Sequence, residues 1–259
     1  MKTTSIRFLF AALALAGISP TITHAGLVVD GGFEPPNPTT TPNQLEGGYA
    51  AYFVGNSFGG PNNDAWTVVQ IGGGYSDVAV TSTTEYANSP FPKTYYNANS
   101  GLQWLDLTGD YDNGVKLGVQ QALATTPGGQ YHLSFYVGDF NSVPAPVELD
   151  INGASVGTFT NKMIATFPSY NGDGVAGMTW QQFTYDFAAT GASTTIAFYN
   201  LAPSGVLANG LDDVSVTGVP EPPTAVLLLT GVGLLLVVRR QVAGAKPSCP
   251  GLPSRAADA

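Results

Sequence analysis

The sequence predicts that residues 26–218 form an all-β domain, an antiparallel β-sandwich of the jelly-roll type. No window in this part keeps an apolar period of 3.6 residues over three helical turns, whereas many short windows alternate with a period of two. Gly, Pro, Asn and Asp bound these windows, and about ten strands with such turns between them are typical of a sandwich. With 193 residues, this part is long enough to bury one core.

The predicted strands are short and evenly spread. In 115–123 the residues Val115, Leu117, Val119 and Leu123 share one face, with Gln121 as the exception on that face. Asn-Gly at 152–153 predicts a tight hairpin. The predicted strands are 26–30, 65–71, 77–81, 102–107, 115–123, 130–138, 147–152, 155–160, 179–187, 194–201 and 211–217, with a short one possible inside the Pro-rich connection at 49–54.

Charge and cysteine usage exclude some classes of function. Residues 26–218 carry three lysines, no arginine and sixteen acidic residues. Such a surface repels nucleic acid and anionic lipid, so no nucleic-acid partner is expected, and it favours divalent cations or simply solubility. The only cysteine is Cys249. The predicted domain therefore has no disulfide and depends on its core, or on a core and a metal.

The N-terminal 25 residues have the pattern of a secretory signal peptide. Lys2 and Arg7 supply the positive charge, 8–18 is an apolar stretch of eleven residues, and Ala25 offers a small residue for cleavage. We therefore expect the domain to be exported.

A second targeting segment occupies 219–240. Pro220, Glu221 and Pro222 precede an uncharged apolar run at 225–238, and Arg239 and Arg240 follow it as a positive stop. A transmembrane helix over about 224–238 is expected, although fourteen apolar residues reach only about 21 Å against a bilayer core of about 30 Å. A buried helix or a plain tail anchor is the alternative.

This arrangement resembles the PEP-CTERM sorting signal of exported bacterial proteins. The resemblance implies transient anchoring in the inner membrane, handling by an exosortase-type membrane protease, and delivery to the cell envelope, surface or extracellular matrix. That family usually ends soon after its basic cluster, whereas this chain continues with the Pro-containing basic tail 241–259.

The order of several segments in the body is similar to that of galactose-binding-like jelly-roll domains, above all to a family of unknown function found in plant cell-wall and bacterial surface proteins. Jelly-roll carbohydrate-binding modules are more distantly similar. The likeness implies a calcium ion beside the paired first and last strands, and binding of a sugar polymer without catalysis. The segments are LVVDGGFE at 27–34, GLQWLDL at 101–107, TTPGGQY at 125–131 and LDDVSV at 211–216.

The candidate calcium ligands are Glu34, Asp212 and Asp30. Calcium binds six to eight oxygens of carboxylates and carbonyls, and the pairing of the first and last strands would bring Glu34 and Asp212 together. Without a cation such a cluster would be repulsive. Asp212 matches the Asp that the resembled family places on the metal. The alternative is that Asp212 and Asp213 are surface acids that satisfy a turn.

Tyr136 and His132 are the candidate ligand contacts, because both lie on the polar face of the strand at 130–138. Aromatic rings supply flat stacking surfaces for sugars, but most aromatic residues of a sandwich belong to its core. We expect Trp66 and Trp180 to be core residues.

A hydrolase is the least favoured alternative. The pattern Gly-x-Ser-x-Gly around Ser57, with His132 later, resembles a nucleophile elbow, but Gly60 and Pro61 do not favour the helix that such an elbow requires. We therefore expect a non-catalytic protein that binds extracellular polysaccharide in the envelope or biofilm matrix. A structural or adhesive matrix protein with protein partners is the alternative.

Overall fold

The computed structural model is a sandwich of two antiparallel β-sheets. It describes residues 26–34, 44–45, 49–74, 76–82, 97–109, 116–139, 145–163, 178–204, 206 and 208–220, and in addition 231, 232, 235 and 239. The all-β prediction is confirmed, since every strand pair within these ranges is antiparallel.

The first sheet has seven strands in the order β1-β2-β5-β6-β13-β8-β11. Its last strand in sequence, β13, is internal and lies between β6 and β8. The strands are β1 (Gln44–Leu45), β2 (Tyr49–Phe53), β5 (Asp77–Ser82), β6 (Gln103–Asp106), β8 (Gln130–Asp139), β11 (Thr179–Ala188) and β13 (Asn209–Gly218).

The second sheet has six strands in the order β10-β9-β12-β7-β4-β3. From β6 onward the chain passes to the other sheet at nearly every connection, which is the topology of a jelly roll. The strands are β3 (Ser57–Phe58), β4 (Trp66–Ile71), β7 (Lys116–Ala124), β9 (Pro146–Ile151), β10 (Ala154–Thr160) and β12 (Ser193–Asn200).

The alternating residues of both sheets meet in one core. Trp66 is fully buried there against Phe33 and Phe198, with ring centroids 5.5 and 6.4 Å away, so its prediction as a core residue is confirmed. Trp180 is different. It is partly buried in a small separate cluster with Trp104 and Met178 on the outer face of the seven-stranded sheet, so its prediction as a core residue was wrong.

The first described segment pairs with the last strand, as the sequence predicts. Leu27 N donates to Val216 O at 3.0 Å, and Val214 N donates to Gly31 O at 2.8 Å. The segment is not a regular strand, because Asp30 has a positive φ of 53°. Gln121 explains the irregularity: its amide accepts from Val29 N and donates to Val29 O, replacing a strand ladder with side-chain bonds.

The other predicted strands agree with the structure to within two residues at each end. The hairpin at 152–153 is also confirmed, with φ of 52° at Asn152 and 77° at Gly153. The two-residue strands β1 and β3 were not predicted, because two residues carry no detectable period.

The targeting segments fall mostly outside the described residues. The predicted signal peptide 1–25 and the tail 241–259 lie outside them, as do Glu221, Pro222 and Arg240. Residues 231, 232, 235 and 239 have helical backbone. Among the described residues, no helix has both the length and the hydropathy needed to span a bilayer.

Candidate functional site

Asp212 and Asp213 hold the loop that leads into β6. Asp212 Oδ2 accepts from Asn99 N at 2.9 Å and Ser100 N at 3.4 Å. Asp213 accepts from the side chains of the same two residues, each at 2.7 Å. The two acids can reach one loop because a β-bulge at 212–215 and a positive φ at Asp213 break the alternation of the strand.

Glu34 holds the same loop from its other end. Its Oε1 accepts from Leu102 N at 2.8 Å and Gln103 N at 3.2 Å. Gly101, with φ of 66°, passes directly beside this carboxylate, and a Cβ there would overlap Glu34 Oε1. Glu34 and Asp213 both border the space above Gly32. The structure therefore brings together acids from the first and last segments, as the pairing of these segments predicts.

Asp30 lies against a different turn. Its Oδ1 accepts from Glu34 N at 3.1 Å and its Oδ2 from Gly60 N at 3.3 Å. Burial raises the pKa of Asp30 to about 6, against the opposing effect of these two bonds. The Asp30 carboxylate thus joins the first segment to the turn at 59–60, whereas Glu34 faces the loop at 101–103.

The fit of this cluster to calcium is incomplete in its side chains alone. Burial raises the pKa of Asp212 to about 8, and the negative charge of Asp213 adds to this shift. A cation would relieve the repulsion between the two carboxylates. However, no three His, Cys, Asp or Glu side chains within the described ranges are grouped closely enough to hold a metal ion. Any calcium there would need oxygens from the backbone as well.

Tyr136 lies on the outer face of the seven-stranded sheet, half-buried in the middle of β8. Its cross-strand partners are Gln182 on β11 and Asp212 on β13. The next row on this face consists of Thr184, Ser134 and Ser215. An aromatic ring is therefore surrounded by short hydrogen-bonding side chains, most of which are uncharged.

Trp180 extends this aromatic surface toward the adjacent end of the sheet. Its indole lies on the backbone of Gly138 and Gly210, where any side chain would collide with it. Trp180 Nε1 donates to Asn97 O at 2.8 Å, and Trp104 meets the ring edge-on at 5.9 Å. These contacts fix the ring while leaving part of it exposed. Sequence reasoning missed Trp180 as a surface residue, because only the strand register shows that Gly138 and Gly210 face it.

His132 lies on the same face, four residues from Tyr136 and at the far end of the strand. Its Nδ1 donates to Asp186 on β11 at 2.5 Å, and both side chains are exposed. The pair Ser134 and Thr184 lies between His132 and Tyr136 on this face, so the two candidate residues share a face but do not contact each other.

Asp106 of the same sheet has a structural role. Asp106 Oδ1 accepts from Thr108 N, Thr108 Oγ1 and Asn209 N at 2.9, 2.7 and 3.1 Å, joining β6 to β13. Burial raises the pKa of Asp106 to about 7.

Ser57 does not have the surroundings of a catalytic nucleophile. It lies in the two-residue strand β3, its Oγ is 3.1 Å from Thr67 Oγ1, and turns follow it instead of a helix. His132 is on the other sheet. The order of residues that resembles a hydrolase therefore does not produce the geometry of one.

The outer face of the six-stranded sheet holds an ion-pair cluster that the sequence did not reveal. Lys116 Nζ lies 2.9 Å from Glu148 Oε1, 3.7 Å from Asp150 Oδ2 and 4.4 Å from the centroid of the Tyr199 ring. These residues come from β7, β9 and β12, and only the strand register brings them together.

The fold defines the chain as a jelly-roll β-sandwich, and comparisons with known proteins assign it to no family. No protein-family model matches the sequence, and no curated protein matches it significantly. Among solved structures, 154 chains match significantly.

Three of these structures illustrate the level of similarity. A family 35 carbohydrate-binding module from Clostridium thermocellum is 12% identical, with a TM-score of 0.37, covering 66% of this chain and 99% of its own. TmCBM61, solved with β-1,4-galactotriose, is 12% identical, with a TM-score of 0.40, and the match covers 75% of this chain and 99% of TmCBM61. The C-terminal domain of EclA, described as a sugar-binding protein, is 14% identical, with a TM-score of 0.30. The match covers 38% of this chain and 64% of that domain, so this chain spans less than two thirds of the domain's length.

Proposed function

We propose that this chain is an exported, non-catalytic protein that binds extracellular polysaccharide on the outer face of its seven-stranded sheet. The observation that supports this most directly is the combination of Tyr136 and Trp180 on one rigid face. Sugars bind through stacking on aromatic rings and through hydrogen bonds to side chains that rotate little, and both are present here. Gln182, Thr184 and Ser134 supply the hydrogen bonds.

The acidic character of the chain narrows the class of polysaccharide. Three lysines against sixteen acids in 26–218 repel polyanions, so the expected ligand is a neutral glycan. Two of these lysines, Lys116 and Lys162, are described, and neither lies on the seven-stranded sheet.

The test is binding of the purified protein to soluble neutral polysaccharides, namely galactan, mannan and β-1,3-glucan, by affinity electrophoresis. In gels that contain a polysaccharide which the unaltered protein binds, we expect Tyr136→Ala to lower the affinity, measured from the retardation of the protein, at least tenfold. His132→Ala, at the far end of the same strand, is the comparison variant and should have a smaller effect. Retardation by none of the three, or equal retardation of Tyr136→Ala and the unaltered protein, would contradict this assignment.

Protein partners are the second candidate. β11 ends the seven-stranded sheet, and no strand lies beside its outer edge among the described residues. Asn161 covers the start of this edge by donating to Thr179 O at 2.7 Å, and the remainder can add a strand from a partner. Self-association or binding of another matrix protein without glycan binding would favour a structural or adhesive role.

Export and sorting are further parts of the proposal. The sequence pattern at Pro220, Glu221 and Pro222 supports processing by an exosortase-type protease after transient anchoring in the inner membrane. In a host that makes such a protease, replacement of all three residues by Ala should leave the chain unprocessed and membrane-bound, as seen by intact mass and fractionation. Identical masses for the altered and unaltered chains would exclude this route.

We also propose that calcium binds beside the loop at 99–103, using Glu34 and Asp212 with backbone oxygens. The convergence of acids from both ends of the domain and the raised pKa of Asp212 support this proposal.

A further inference from the structure

The segment 97–103, which leads into β6, is held firmly for a connection whose residues are mostly exposed. Six hydrogen bonds from it end on three carboxyl groups, those of Glu34, Asp212 and Asp213. Hydrogen bonds to carboxylates are stronger than those between neutral groups. The segment is therefore fixed by its contacts with acids of the first segment and of β13, and only to a small extent by burial of its own side chains.

Asp213 supplies the part of this anchoring that binds side chains. Its Oδ2 accepts from Asn99 Nδ2 and its Oδ1 from Ser100 Oγ, each at 2.7 Å. Asp213 has a φ of 49°, which is uncommon for residues other than glycine, and it lies in the β-bulge of β13. Such a backbone conformation has an energetic cost that surrounding contacts must offset, and the two bonds to the segment are contacts of that kind.

The start of the same segment holds Trp180. Trp180 Nε1 donates to Asn97 O at 2.8 Å. The backbones of Gly138 and Gly210 beneath the indole set the height of the ring above the sheet, but they do not determine how the ring is rotated within its own plane. The bond from Nε1 does determine this rotation, because it holds one point on the edge of the ring.

We propose that Asp213 is a positioning residue for Trp180, which it orients through the segment 97–100. The two residues that Asp213 binds are two and three positions from Asn97 along the chain, so the short backbone between them holds the carbonyl of Asn97 in one place. Loss of the bonds to Asp213 releases this carbonyl and, with it, the rotation of the indole. In this role Asp213 acts on a ligand only through Trp180.

The consequence for glycan binding rests on the function proposed above. A ring that is oriented beforehand needs no ordering when a sugar stacks on it, so part of the cost of binding is removed. Asp212, which holds the backbone of the same segment, is the cross-strand partner of Tyr136. The segment is therefore tied to Trp180 itself and to a direct neighbour of Tyr136.

The orientation of the ring can be measured without a ligand. Trp104 and Trp180 have ring centroids 5.9 Å apart and an angle of 75° between their planes. Two indoles that are so close and not parallel give a coupled pair of bands in circular dichroism, and Trp180→Phe, the reference variant, should remove this couplet. With a chelator present, which excludes any effect of calcium, we expect Asn99→Ala and Asp213→Asn each to lose most of it. Asn is chosen at 213 because it tolerates a positive φ.

Matched variants separate this effect from a general loss of structure. Ser100→Thr keeps the hydroxyl group that donates to Asp213 and should keep the couplet, whereas Ser100→Ala should weaken it. Asp64→Asn and Asn62→Ala change an exposed acid and an exposed asparagine in the turn before β4, and they should leave the couplet unchanged. The unfolding midpoint is measured for every variant. If Asp213→Asn does not fold, Asn99→Ala and Ser100→Ala decide.

Affinity for galactan, mannan and β-1,3-glucan is then measured on the same variants. A smaller couplet together with an affinity about fivefold lower supports the proposal, since this is the effect of a ring that has the binding orientation about one fifth of the time. An unchanged couplet in Asn99→Ala and Asp213→Asn overturns it, whatever the affinities are.

Two further outcomes distinguish this proposal from the proposed function. A smaller couplet with unchanged affinity, while Tyr136→Ala still weakens binding, overturns the role of Asp213 in binding and leaves the glycan-binding face intact. If the unaltered protein binds none of the three glycans, the proposed function fails. The couplet then still decides whether Asp213 orients Trp180: its loss in the two variants supports that assignment, and its persistence overturns it.

Discussion

Gln121 on β7 holds the backbone of Val29 by two hydrogen bonds, one from Val29 N at 2.8 Å and one to Val29 O at 2.9 Å. The amide is only 6% exposed and occupies a position of the core face where its neighbours on the strand are apolar. It links the first described segment, which pairs with β13 of the seven-stranded sheet, to β7 of the six-stranded sheet.

Replacing Gln121 by Leu should therefore destabilise the protein although it makes the core face uniformly apolar. The N–H and C=O of Val29, which are only partly buried, lose their partners, so each should cost at most about 1 kcal/mol, the lower end of the range for an unsatisfied group. Urea unfolding measures the difference. Gln120→Ala changes the neighbouring residue on the outer face and should alter stability by less than about 0.5 kcal/mol. Equal stabilities of Gln121→Leu and the unaltered protein would show that water replaces the lost bonds.

The raised pKa values predict that stability falls as pH rises. Burial raises the pKa of Asp212 to about 8 and that of Asp106 to about 7, from 3.8 in both cases. The folded state therefore holds protons that the unfolded state has already released. The contribution of these protons to the free energy of unfolding is complete below about pH 4 and is lost as pH rises toward 8. In the absence of calcium, the unfolding midpoint should decline across this range, and Asp212→Asn should flatten the decline. A midpoint that rises with pH would contradict both assignments.

Calcium should reverse part of this loss. A cation beside Asp212 binds its ionised form, so we expect the thermal midpoint at neutral pH to be higher with calcium than with a chelator. Glu34→Gln and Asp212→Asn should each remove the difference. Asp64→Asn, which changes an exposed acid, is the matched control and should keep it. The same midpoint with calcium and with chelator would rule out the calcium proposal.

Gly138→Ala should lift Trp180 off the sheet. A Cβ at this position would collide with Met178 and would lie 2.8 Å from the indole ring. Overpacking of this kind typically costs about 1–3 kcal/mol. Tryptophan fluorescence should shift to longer wavelength, and glycan affinity should fall. Gly73→Ala, with nothing within 4 Å of the added atom, should change neither property. An unshifted spectrum in Gly138→Ala would mean that the ring does not rest on the glycine.

The strands could be predicted from the sequence because alternation is a local property of each segment. Val119 and Leu123 identify the core face of β7 without any knowledge of its neighbours. That Glu34 and Asp212 hold the two ends of one loop agrees with one further expectation, that the first and last segments pair. Trp180 was misjudged because an indole that rests on glycines has the same sequence pattern as one in the core.

The ion-pair cluster on the six-stranded sheet could not be predicted in this way. Lys116 and Asp150 are on strands separated by β12, and a shift of register by one residue would turn either of them inward. Strand pairing and register depend on contacts between segments that are distant in the sequence. The period of apolar residues and the turn signals carry information only about each segment itself. Gln121 was recognised only as an exception, and its partner at Val29 is 92 residues away.

The internal position of β13 has a consequence for the order of events in folding. This strand, the last of the thirteen, separates β6 from β8 and also receives the first segment through Leu27 and Gly31. The seven-stranded sheet therefore cannot close around its centre until the end of the domain has been synthesised, and contacts of such long sequence separation form slowly. The nascent chain accordingly stays incompletely folded until residue 218 is available.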